Sequence, residues 1–193
     1  VYKRQPLIRV IDDDDAMRNS WAFLIEGEGW DVKTYADAIT FLSSNDYIRP
    51  GCLLLDVRMP HMSGLELQLK LREAGCDLPI IFISGHGAID FLQKPVDDQR
   101  LLKTIENAVS HNLAQRRGKR EVTDFRNRLE SLTQREREVI RMVAQGYSNK
   151  EVAREYGISE KTVQVHRGSA YRKLDLHNAA EIARLLMLTG DPL

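Results

Sequence analysis

The sequence predicts two successive domains, an α/β domain built on a parallel β-sheet and then an all-α domain. Short apolar runs alternate with helix-period segments in the first half, as expected for repeated strand-helix-strand units, and from about Leu101 the pattern is helical only. The charge divides near the same place. Residues 1–110 hold 12 basic and 17 acidic side chains, a net charge of −5, and residues 111–193 hold 16 and 11, a net charge of +5. Halves of opposite charge favour domains with different partners.

The composition limits the class of protein. The 193 residues have zero net charge, 42% apolar and 29% charged residues, which is typical of a folded globular chain. No apolar run approaches the roughly 18 residues that span a bilayer, so we expect no membrane partner. Cys52 and Cys76 are not spaced like metal ligands. Two cysteines in a neutral chain of this composition fit the reducing cytoplasm.

Four apolar runs of the first half are predicted as strands of a doubly wound parallel sheet. They are Leu7–Ile11, Cys52–Leu55, Ile80–Ile83 and Ile89–Leu92, and apolar residues recur at helical spacing in Met17–Glu26, Ala36–Ser43 and Leu65–Ala74 between them. In such a sheet the functional crevice lies beyond the carboxyl ends of the strands. The residues that follow each strand are therefore the candidate site.

Those positions carry an acidic group. Asp12 to Asp15 follow the first strand, Asp56 follows the second, and Ser84 and Lys94 follow the last two. Carboxylates that share one edge repel one another unless a divalent cation joins them, and hard oxygen ligands suit Mg²⁺. A carboxylate beside Mg²⁺ and a lysine can act as a nucleophile toward a phosphoryl group.

The same markers resemble the receiver domain of two-component response regulators over residues 7 to about 110. They are the paired Asp after the first strand, Asp56-Val-Arg-Met-Pro, Ser-Gly-His-Gly and Phe-Leu-Gln-Lys-Pro. The resemblance implies a five-stranded sheet, a cis Lys94-Pro95 bond, and a role for each marker. These roles are the phosphoacceptor (Asp56), a direct Mg²⁺ ligand (Asp13), a ligand through water (Asp12), a backbone carbonyl ligand (Arg58), phosphoryl contacts (Lys94 and Ser84) and an aromatic switch (Phe91).

The chain between Ser84 and Lys94 is shorter than the receiver pattern. Neighbouring parallel strands need a crossover of about a dozen residues, and only Gly85–Ala88 separates the two predicted strands. About a dozen residues that carry the fourth helix are thus absent, we expect between Gly87 and Ala88. Either a disordered segment is missing from the sequence, which predicts an α-carbon separation at that point far above about 3.8 Å, or the domain is truly shortened and its switch face is altered.

A polar, basic segment follows at His111–Arg120 and contains Gly118, as is typical of a domain boundary. We therefore divide the chain into a domain of residues 1–110, a linker helix of 111–130 and a domain of 131–193. Apolar residues at helical spacing in and just after this linker, Val122, Phe125, Leu129 and Leu132, permit a helix that pairs with a copy of itself.

The last domain contains three capped helix starts. Thr133 with Glu136 and Ser148 with Glu151 are capping boxes, and Ser159 caps a third helix. The segments Ser148–Tyr156 and Glu160–Leu174 form a helix-turn-helix, a motif whose second helix enters the major groove of DNA. The apolar positions of that second helix, Val163, Ala170 and Leu174, would face the core.

The surrounding segments LTQREREVI, GYSNKEVA and GISEKTVQVHR closely resemble the LuxR-type four-helix DNA-binding domain over about Leu132–Leu188. The resemblance implies base contacts by Gln164, Val165 and His166. It implies contacts nearer the DNA backbone by Asn149, Lys150, Lys161, Thr162, Arg167, Arg172 and Lys173. It also implies a dimer contact through the final helix, at Ile182, Leu185 and Leu186. Gly168 and Ala170 depart from the usual pattern.

Together these features resemble a NarL/FixJ-type response regulator: an α/β receiver on a doubly wound, parallel five-stranded sheet with its fourth helix apparently missing, followed by an all-α four-helix helix-turn-helix domain. We expect a cytoplasmic, Mg²⁺-dependent phosphoprotein that takes its phosphoryl group from a sensor histidine kinase and dimerises to regulate transcription at specific DNA sites. It would not be an enzyme beyond slow self-dephosphorylation. Two alternatives are a constitutive DNA binder with a non-switching receiver, and a haloacid-dehalogenase-type phosphatase with Asp12 as its nucleophile.

Overall fold

The computed structural model describes residues 5–84 and 92–190 and divides into two compact units, Val1–Arg116 and Arg117–Leu193. The first unit contains a parallel sheet in the order β2-β1-β3-β4-β5. Its strands are β1 (Leu7–Ile11), β2 (Asp31–Tyr35), β3 (Gly51–Asp56), β4 (Ile80–Ser84) and β5 (Leu92–Gln93), and its helices are α1 (Asp15–Gly27), α2 (Ala38–Ser44), α3 (Gly64–Glu73) and the start of α4 (Asp98–Glu130). The predicted α/β architecture with five parallel strands is confirmed.

Alternate residues of the buried strands supply the two faces of this sheet. Ile8 and Val10 of β1 pack with Ile25 of α1 and Ile105 of α4 in one core, whereas Ile11 lies in the other core with residues of α2 and α3. The central strand β3 is buried along its whole length. Helices on both faces and a period of two in the strands account for the continuous apolar runs of the sequence.

The edge strand β2 was not among the predicted strand segments. Its sequence, DVKTY, exposes Asp31, Lys33 and Thr34, and only Tyr35 is buried. An edge strand packs against a single neighbour, so its residues need not be apolar and the pattern gives little signal.

The strand predicted over Ile89–Leu92 is described only as the two residues of β5. Leu92 pairs with Ile83 and Gln93 with Ser84, both in parallel. These pairs place the described part of β5 beside the carboxyl end of β4, and the connection between the two strands lies outside the described residues. Gly87 and Ala88, where we predicted a gap or deletion, lie outside the described residues.

The second unit adds helices α5 (Gln134–Ala144), α6 (Asn149–Tyr156), α7 (Glu160–Leu174) and α8 (Ala179–Thr189). Thr133 and Ser148 form the predicted capping boxes with Glu136 and Glu151, and Ser159 accepts a hydrogen bond from the backbone N–H of Thr162. The helix-turn-helix of α6 and α7 is confirmed. Among the described residues, no helix has both the length and the apolar character needed to cross a membrane.

The end of α4 belongs to the core of the second unit. Phe125, Leu129 and Leu132 are buried against residues of α5, α7 and α8, and Val122 is half-buried. The expectation that this stripe pairs with a copy of itself is wrong, because its apolar side chains are already covered within the chain. The helix also continues without a break through Gly118.

The predicted dimer contact on the final helix is wrong for a similar reason. Ile182, Leu185 and Leu186 are at most 3% exposed, and they pack with α5, α7 and the end of α4. An amphipathic pattern identifies an apolar face, but it does not tell whether that face covers the domain's own core or a second chain.

Candidate functional site

Two buried carboxylates lie at the carboxyl ends of neighbouring strands. Asp56 is the last residue of β3 and Asp12 follows β1; they are 7% and 0% exposed. Asp13, next along the chain, is exposed. The parallel register places Leu55 beside Ile11, so the residues after these two strands share one edge of the sheet, as predicted.

Lys94 supplies the positive charge at this edge. Its Nζ lies 3.0 Å from an Oδ atom of Asp12 and 3.3 Å from an Oδ atom of Asp56. The Lys94-Pro95 peptide bond is cis, as expected, and the backbone N–H of Lys94 donates to the carbonyl of Ser84. The short strand β5 thereby brings one ammonium group between two carboxylates that belong to distant parts of the sequence.

The electrostatics of the edge follow from this crowding. Burial raises the pKa of Asp56 above its ordinary value, and the charges of Asp12 and Asp13 add to that effect, whereas the ammonium of Lys94 opposes it. Burial lowers the pKa of Lys94, but its two carboxylate neighbours outweigh burial and the net pKa is raised. Three carboxylates thus face a single lysine, and the edge has an excess of negative charge.

The three carboxylates have the geometry and chemistry of a divalent-cation site. Oxygen atoms of Asp12, Asp13 and Asp56 all lie within 4.8 Å of one another, and within the described part of the chain they form the group of side chains close enough to share a metal ion. A cluster of hard, anionic oxygens with one exposed member leaves room for water ligands, which Mg²⁺ retains. The donor set therefore fits Mg²⁺.

The other predicted site residues that the structure describes, Ser84 and Arg58, lie around the same edge. Ser84 is buried at the carboxyl end of β4, one residue beyond the partner of Asp56. Arg58 lies in the exposed loop after β3. Phe91, the predicted aromatic switch, is outside the described residues.

Two residues at this edge were missed by sequence reasoning. Gly64 begins α3 so close to β3 that a β-carbon would lie 2.4 Å from the backbone oxygen of Asp56. Arg18 of α1 donates to the backbone carbonyl of Asp12 at 2.6 Å and pairs with Asp15. The capping box of Ser63 and Glu66 was the available signal for the position of Gly64.

The geometry disfavours Asp12 as the nucleophile of a phosphatase. One of its oxygens accepts from the backbone N–H of Asp14 at 2.8 Å, and the other accepts from Lys94. A nucleophile must be reached by its substrate, and Asp12 is fully buried.

Helix α7 presents a polar outer face in the second unit. Val163, Ala170 and Leu174 are buried beneath it, as predicted. Five of the eight residues predicted to approach DNA from this helix are exposed: Lys161, Gln164, Val165, Arg172 and Lys173. Val165 is 64% exposed although it is apolar.

Four of the predicted DNA contacts have partners within the unit: Asn149, Thr162, Arg167 and Lys173. Arg167 donates to Asn149 of α6 at 3.2 Å, and its guanidinium lies 5.1 Å from the ring centre of Tyr171. Lys173 pairs with Glu136 at 2.7 Å. Lys150 is exposed, whereas Thr162, whose hydroxyl bonds to Ser159, and His166 are half-buried.

Comparison with known families separates the chain at the same two units. Residues 8–106 match the family described as response regulator receiver domain, and residues 130–186 match the family described as bacterial regulatory proteins, luxR family.

Similar proteins have both parts in the same order. The response regulator protein TmoT of Ectopseudomonas mendocina is 37% identical, over 98% of this chain and 92% of its own. The transcriptional regulatory protein FixJ of Bradyrhizobium diazoefficiens is 37% identical, over 95% of each chain. The alignment with TmoT has 202 positions against 193 residues here, so at least nine positions have a residue in the relative alone.

Solved structures give the same result. The response regulator StyR is 36% identical with a TM-score of 0.83, over 96% of this chain and all of its own. Full-length FixJ from B. japonicum is 36% identical with a TM-score of 0.57, over 97% of this chain and 98% of its own.

Proposed function

The chain belongs to the response regulators that join a receiver domain to a LuxR-type DNA-binding domain, and on this premise we propose that phosphorylation of Asp56 controls its binding to specific DNA sites. Transcriptional regulation in a two-component system is what the family does. The assignment to Asp56 is carried by one observation, the convergence of Asp12, Asp13, Asp56 and Lys94 at the carboxyl edge of the sheet.

The proposed reaction is transfer of one phosphoryl group. An oxygen of the Asp56 carboxylate attacks phosphorus and forms a new P–O bond, while the bond from phosphorus to the donor atom breaks and its electron pair leaves with the donor. Lys94 lies 3.3 Å from this carboxylate, within reach of the phosphoryl oxygens, and the hydroxyl of Ser84 would bond to them from the next strand. A fixed ammonium beside developing negative charge lowers the barrier without reorganisation.

Mg²⁺ would be held by the carboxylates of Asp13 and Asp56, by Asp12 through water and by the backbone carbonyl of Arg58. When bound, the ion neutralises negative charge on the phosphoryl oxygens. The three carboxylates and their excess charge support this ligand set.

The proposed donor is the phosphohistidine of a sensor kinase, and membership of the two-component response regulators supports this choice. We propose that the protein works in the cytoplasm and is not an enzyme apart from slow loss of its own phosphoryl group. Two cysteines without a disulfide are compatible with that compartment.

In the second unit, we propose that α7 reads DNA. Gln164, Val165 and His166 would contact base edges. Phosphate contacts would come from Lys161, Thr162, Arg167 and Arg172 on α7 and from Asn149 and Lys150 on α6. Lys173 would also contact a phosphate, and its ammonium would then exchange Glu136 for the phosphate. The exposed outer face of α7, with its buried inner face, supports this assignment.

We further propose that the active form is a homodimer that contacts itself through the receiver surface beside β5. The buried residues of α8 play no part in that contact. Light scattering with and without a small phosphodonor tests this, and a chain that stays monomeric while fully phosphorylated contradicts it.

The test of the acceptor uses acetyl phosphate and Mg²⁺, with intact-mass measurement of the product. We expect the wild-type chain to gain one phosphoryl group and the variant Asp56→Asn to gain none. The matched control is Asp15→Asn, which removes an exposed carboxylate from the same loop but outside the cluster and should still be labelled. Label on Asp56→Asn would overturn the assignment.

A further inference from the structure

The indole of Trp21 lies against the ammonium group of Lys94. Trp21 is on α1 and only 6% exposed, and the Nζ atom of Lys94 is 5.1 Å from the centre of its ring system. A cation within about 6 Å of an aromatic face is attracted by the ring quadrupole, and tryptophan gives the strongest such attraction. No role at this site follows from the receiver markers in the sequence, which do not include Trp21.

Lys94 therefore has neighbours of two kinds, two carboxylates and one aromatic ring, and they differ in an important way. The carboxylates of Asp12 and Asp56, 3.0 and 3.3 Å from its Nζ, are also members of the cation cluster. The ring of Trp21 is uncharged and is not a metal ligand. A cation that binds the carboxylate oxygens would compete with Lys94 for them, but it would leave the contact between Lys94 and the ring intact.

The position of the ring is fixed on several sides. It belongs to the core cluster that also contains Val10 of β1, Ile83 of β4 and Leu92 of β5. One turn earlier on the same helix, Arg18 donates to the backbone carbonyl of Asp12. The helix is thus tied to the acidic loop at its start, and the indole has little freedom to move away from Lys94.

We propose that Trp21 is a positioning residue for Lys94, whose indole face keeps the ammonium beside Asp56 ready to meet the phosphoryl oxygens. This rests on the proposed phosphorylation of Asp56. The carboxylates attract the ammonium but can be engaged by a cation, whereas the ring holds it without occupying an oxygen. Trp21 acts through Lys94 and does not itself touch the phosphoryl group.

Intrinsic fluorescence tests the contact without any phosphorylation. The chain has two tryptophans, so the variant Trp30→Phe has Trp21 as its only indole and Trp21→Phe has Trp30. Exchange of Lys94 for Met in the first background removes the ammonium beside the fluorophore, and we expect the emission to change in intensity and wavelength. The same exchange in the Trp21→Phe background should leave Trp30 emission unchanged. Emission of Trp21 that is indifferent to Lys94 would overturn the contact.

The rate of labelling by acetyl phosphate with Mg²⁺ tests the role. We expect Trp21→Leu to slow labelling about three- to tenfold, in proportion to a cation–π attraction of ordinary strength, and Trp21→Phe to restore part of the rate. In the Lys94→Met background the same exchange at Trp21 should change nothing. The matched control is Trp30→Leu, which removes an indole packed on the same core and should keep the wild-type rate.

Each outcome separates the possible failures. A decrease of equal size with and without Lys94, or an equal decrease for Trp30→Leu, would mean that Trp21 acts only through the core and would overturn the proposal. If Trp21→Leu does not fold, the same test compares the labelling rates of the Trp21 and Trp21→Phe chains, once with Lys94 present and once in the Lys94→Met background. If Lys94→Met takes no label, the proposal is tested by the labelling rates of the chains with Trp, Phe and Leu at position 21. These rates should fall in that order, whereas the Trp30→Leu control should keep the wild-type rate. A wild-type chain that takes no label would contradict the function proposed for Asp56, whereas the fluorescence result would stand.

Discussion

The two ends of the receiver sheet treat buried charge in opposite ways. At the amino end, the guanidinium of Arg9 is fully buried, and it donates to the backbone carbonyls of Leu7, Asp46 and Arg49 at 2.6–2.8 Å. At the carboxyl end, Asp12, Asp13 and Asp56 share one ammonium. The first arrangement satisfies its charge with fixed partners, and the second leaves negative charge in excess.

The amino end also anchors helix α4. Asn112 is buried, accepts from the backbone N–H of Gly51 and donates to the carbonyl of Asp77, and Arg116 pairs with the carboxylate of Asp77. Gly51 is required there because a β-carbon would lie 1.9 Å from the carbonyl oxygen of Leu7. Complete hydrogen bonding makes this end a structural element, whereas incomplete pairing makes the other end able to take up a cation and react.

This difference predicts the sign of each change in the free energy of unfolding. A substitution should lower it where the charged group has a complete set of hydrogen-bond and ion-pair partners, and should raise it where that set is incomplete. The largest effect should come from Arg9→Met, which removes the buried guanidinium that donates to the backbone carbonyls of Leu7, Asp46 and Arg49. We expect the free energy of unfolding to fall by about 3–5 kcal/mol, measured by urea unfolding through tryptophan fluorescence, since both tryptophans lie in the first unit.

The matched control for Arg9 is Lys33→Met on the neighbouring strand, because that exposed lysine also interacts with Asp46. It should cost less than about 1 kcal/mol. An Arg9→Met chain as stable as this control would contradict the structural role given to the amino end.

A smaller loss is expected for Glu136→Gln in the second unit. Burial alone would raise the pKa of Glu136, but hydrogen bonds from Lys173, Ser169 and Thr133 outweigh it and lower the pKa from 4.5 to about 2. The folded state therefore favours the ionised carboxyl. Its contribution is complete above pH 4.5 and is lost as the pH falls from there through about 2.

Circular dichroism follows the urea unfolding of both units. Comparison with tryptophan fluorescence, which reports the first unit alone, isolates the transition of the second unit, which has no tryptophan. At pH 7 Glu136→Gln should lower the free energy of unfolding by about 1–3 kcal/mol, and the difference from wild type should shrink below pH 4.5. The control Glu155→Gln removes an exposed carboxylate and should be neutral at both pH values. A constant difference down to pH 2 would contradict the pairing.

At the carboxyl end the sign should reverse. Asp56→Asn removes a carboxylate whose pKa burial and neighbouring carboxylates raise, so we expect the free energy of unfolding without Mg²⁺ to increase by about 1 kcal/mol at pH 7. Asp46→Asn is the comparison. Burial raises the pKa of Asp46, but hydrogen bonds from Lys33 and Tyr35 give a net lowering, so this change should destabilise. Equal signs for the two would remove the distinction between the ends of the sheet.

The smallest effect concerns Tyr171. Among the described residues, its hydroxyl is the buried side-chain polar atom without a hydrogen-bond partner. Tyr171→Phe removes the unsatisfied group and keeps the ring beneath Arg167, so the free energy of unfolding should rise by about 0.5–1 kcal/mol. Tyr156→Phe loses a hydrogen bond to the carbonyl of Glu138 and should not gain stability. A clear loss for Tyr171→Phe would show that its hydroxyl has a partner in solution.

The sequence predicted the carboxyl end far better than the amino end, and the reason is physical. Asp12, Asp56 and Lys94 each follow an apolar run, so strand topology alone brings them together. Arg9 lies inside the run LIRVI, and its partners are backbone carbonyls, which any residue would supply. Nothing in the residue types at positions 46 and 49 shows that their carbonyls receive a guanidinium.

Packing partners were the other limit of the sequence. The sequence identified the stripes at Phe125–Leu132 and Ile182–Leu186 as apolar. The pattern could not show that both pack in one core within the chain, rather than against a second chain. Trp21 looked like an ordinary apolar position of α1. Its contact with Lys94 joins residues 73 positions apart and depends on the register of β5.

The central claim is that phosphoryl transfer to Asp56 controls DNA binding, and one measurement tests it directly. A binding site is selected from random DNA with the full chain, and its affinity is then measured for wild type and Asp56→Asn with and without acetyl phosphate and Mg²⁺. We predict that the phosphodonor tightens wild-type binding by about tenfold or more, a coupling of ordinary size, and leaves Asp56→Asn unchanged. A wild-type chain that is labelled at Asp56 and binds the site with unaltered affinity would contradict the account and favour a constitutive DNA binder.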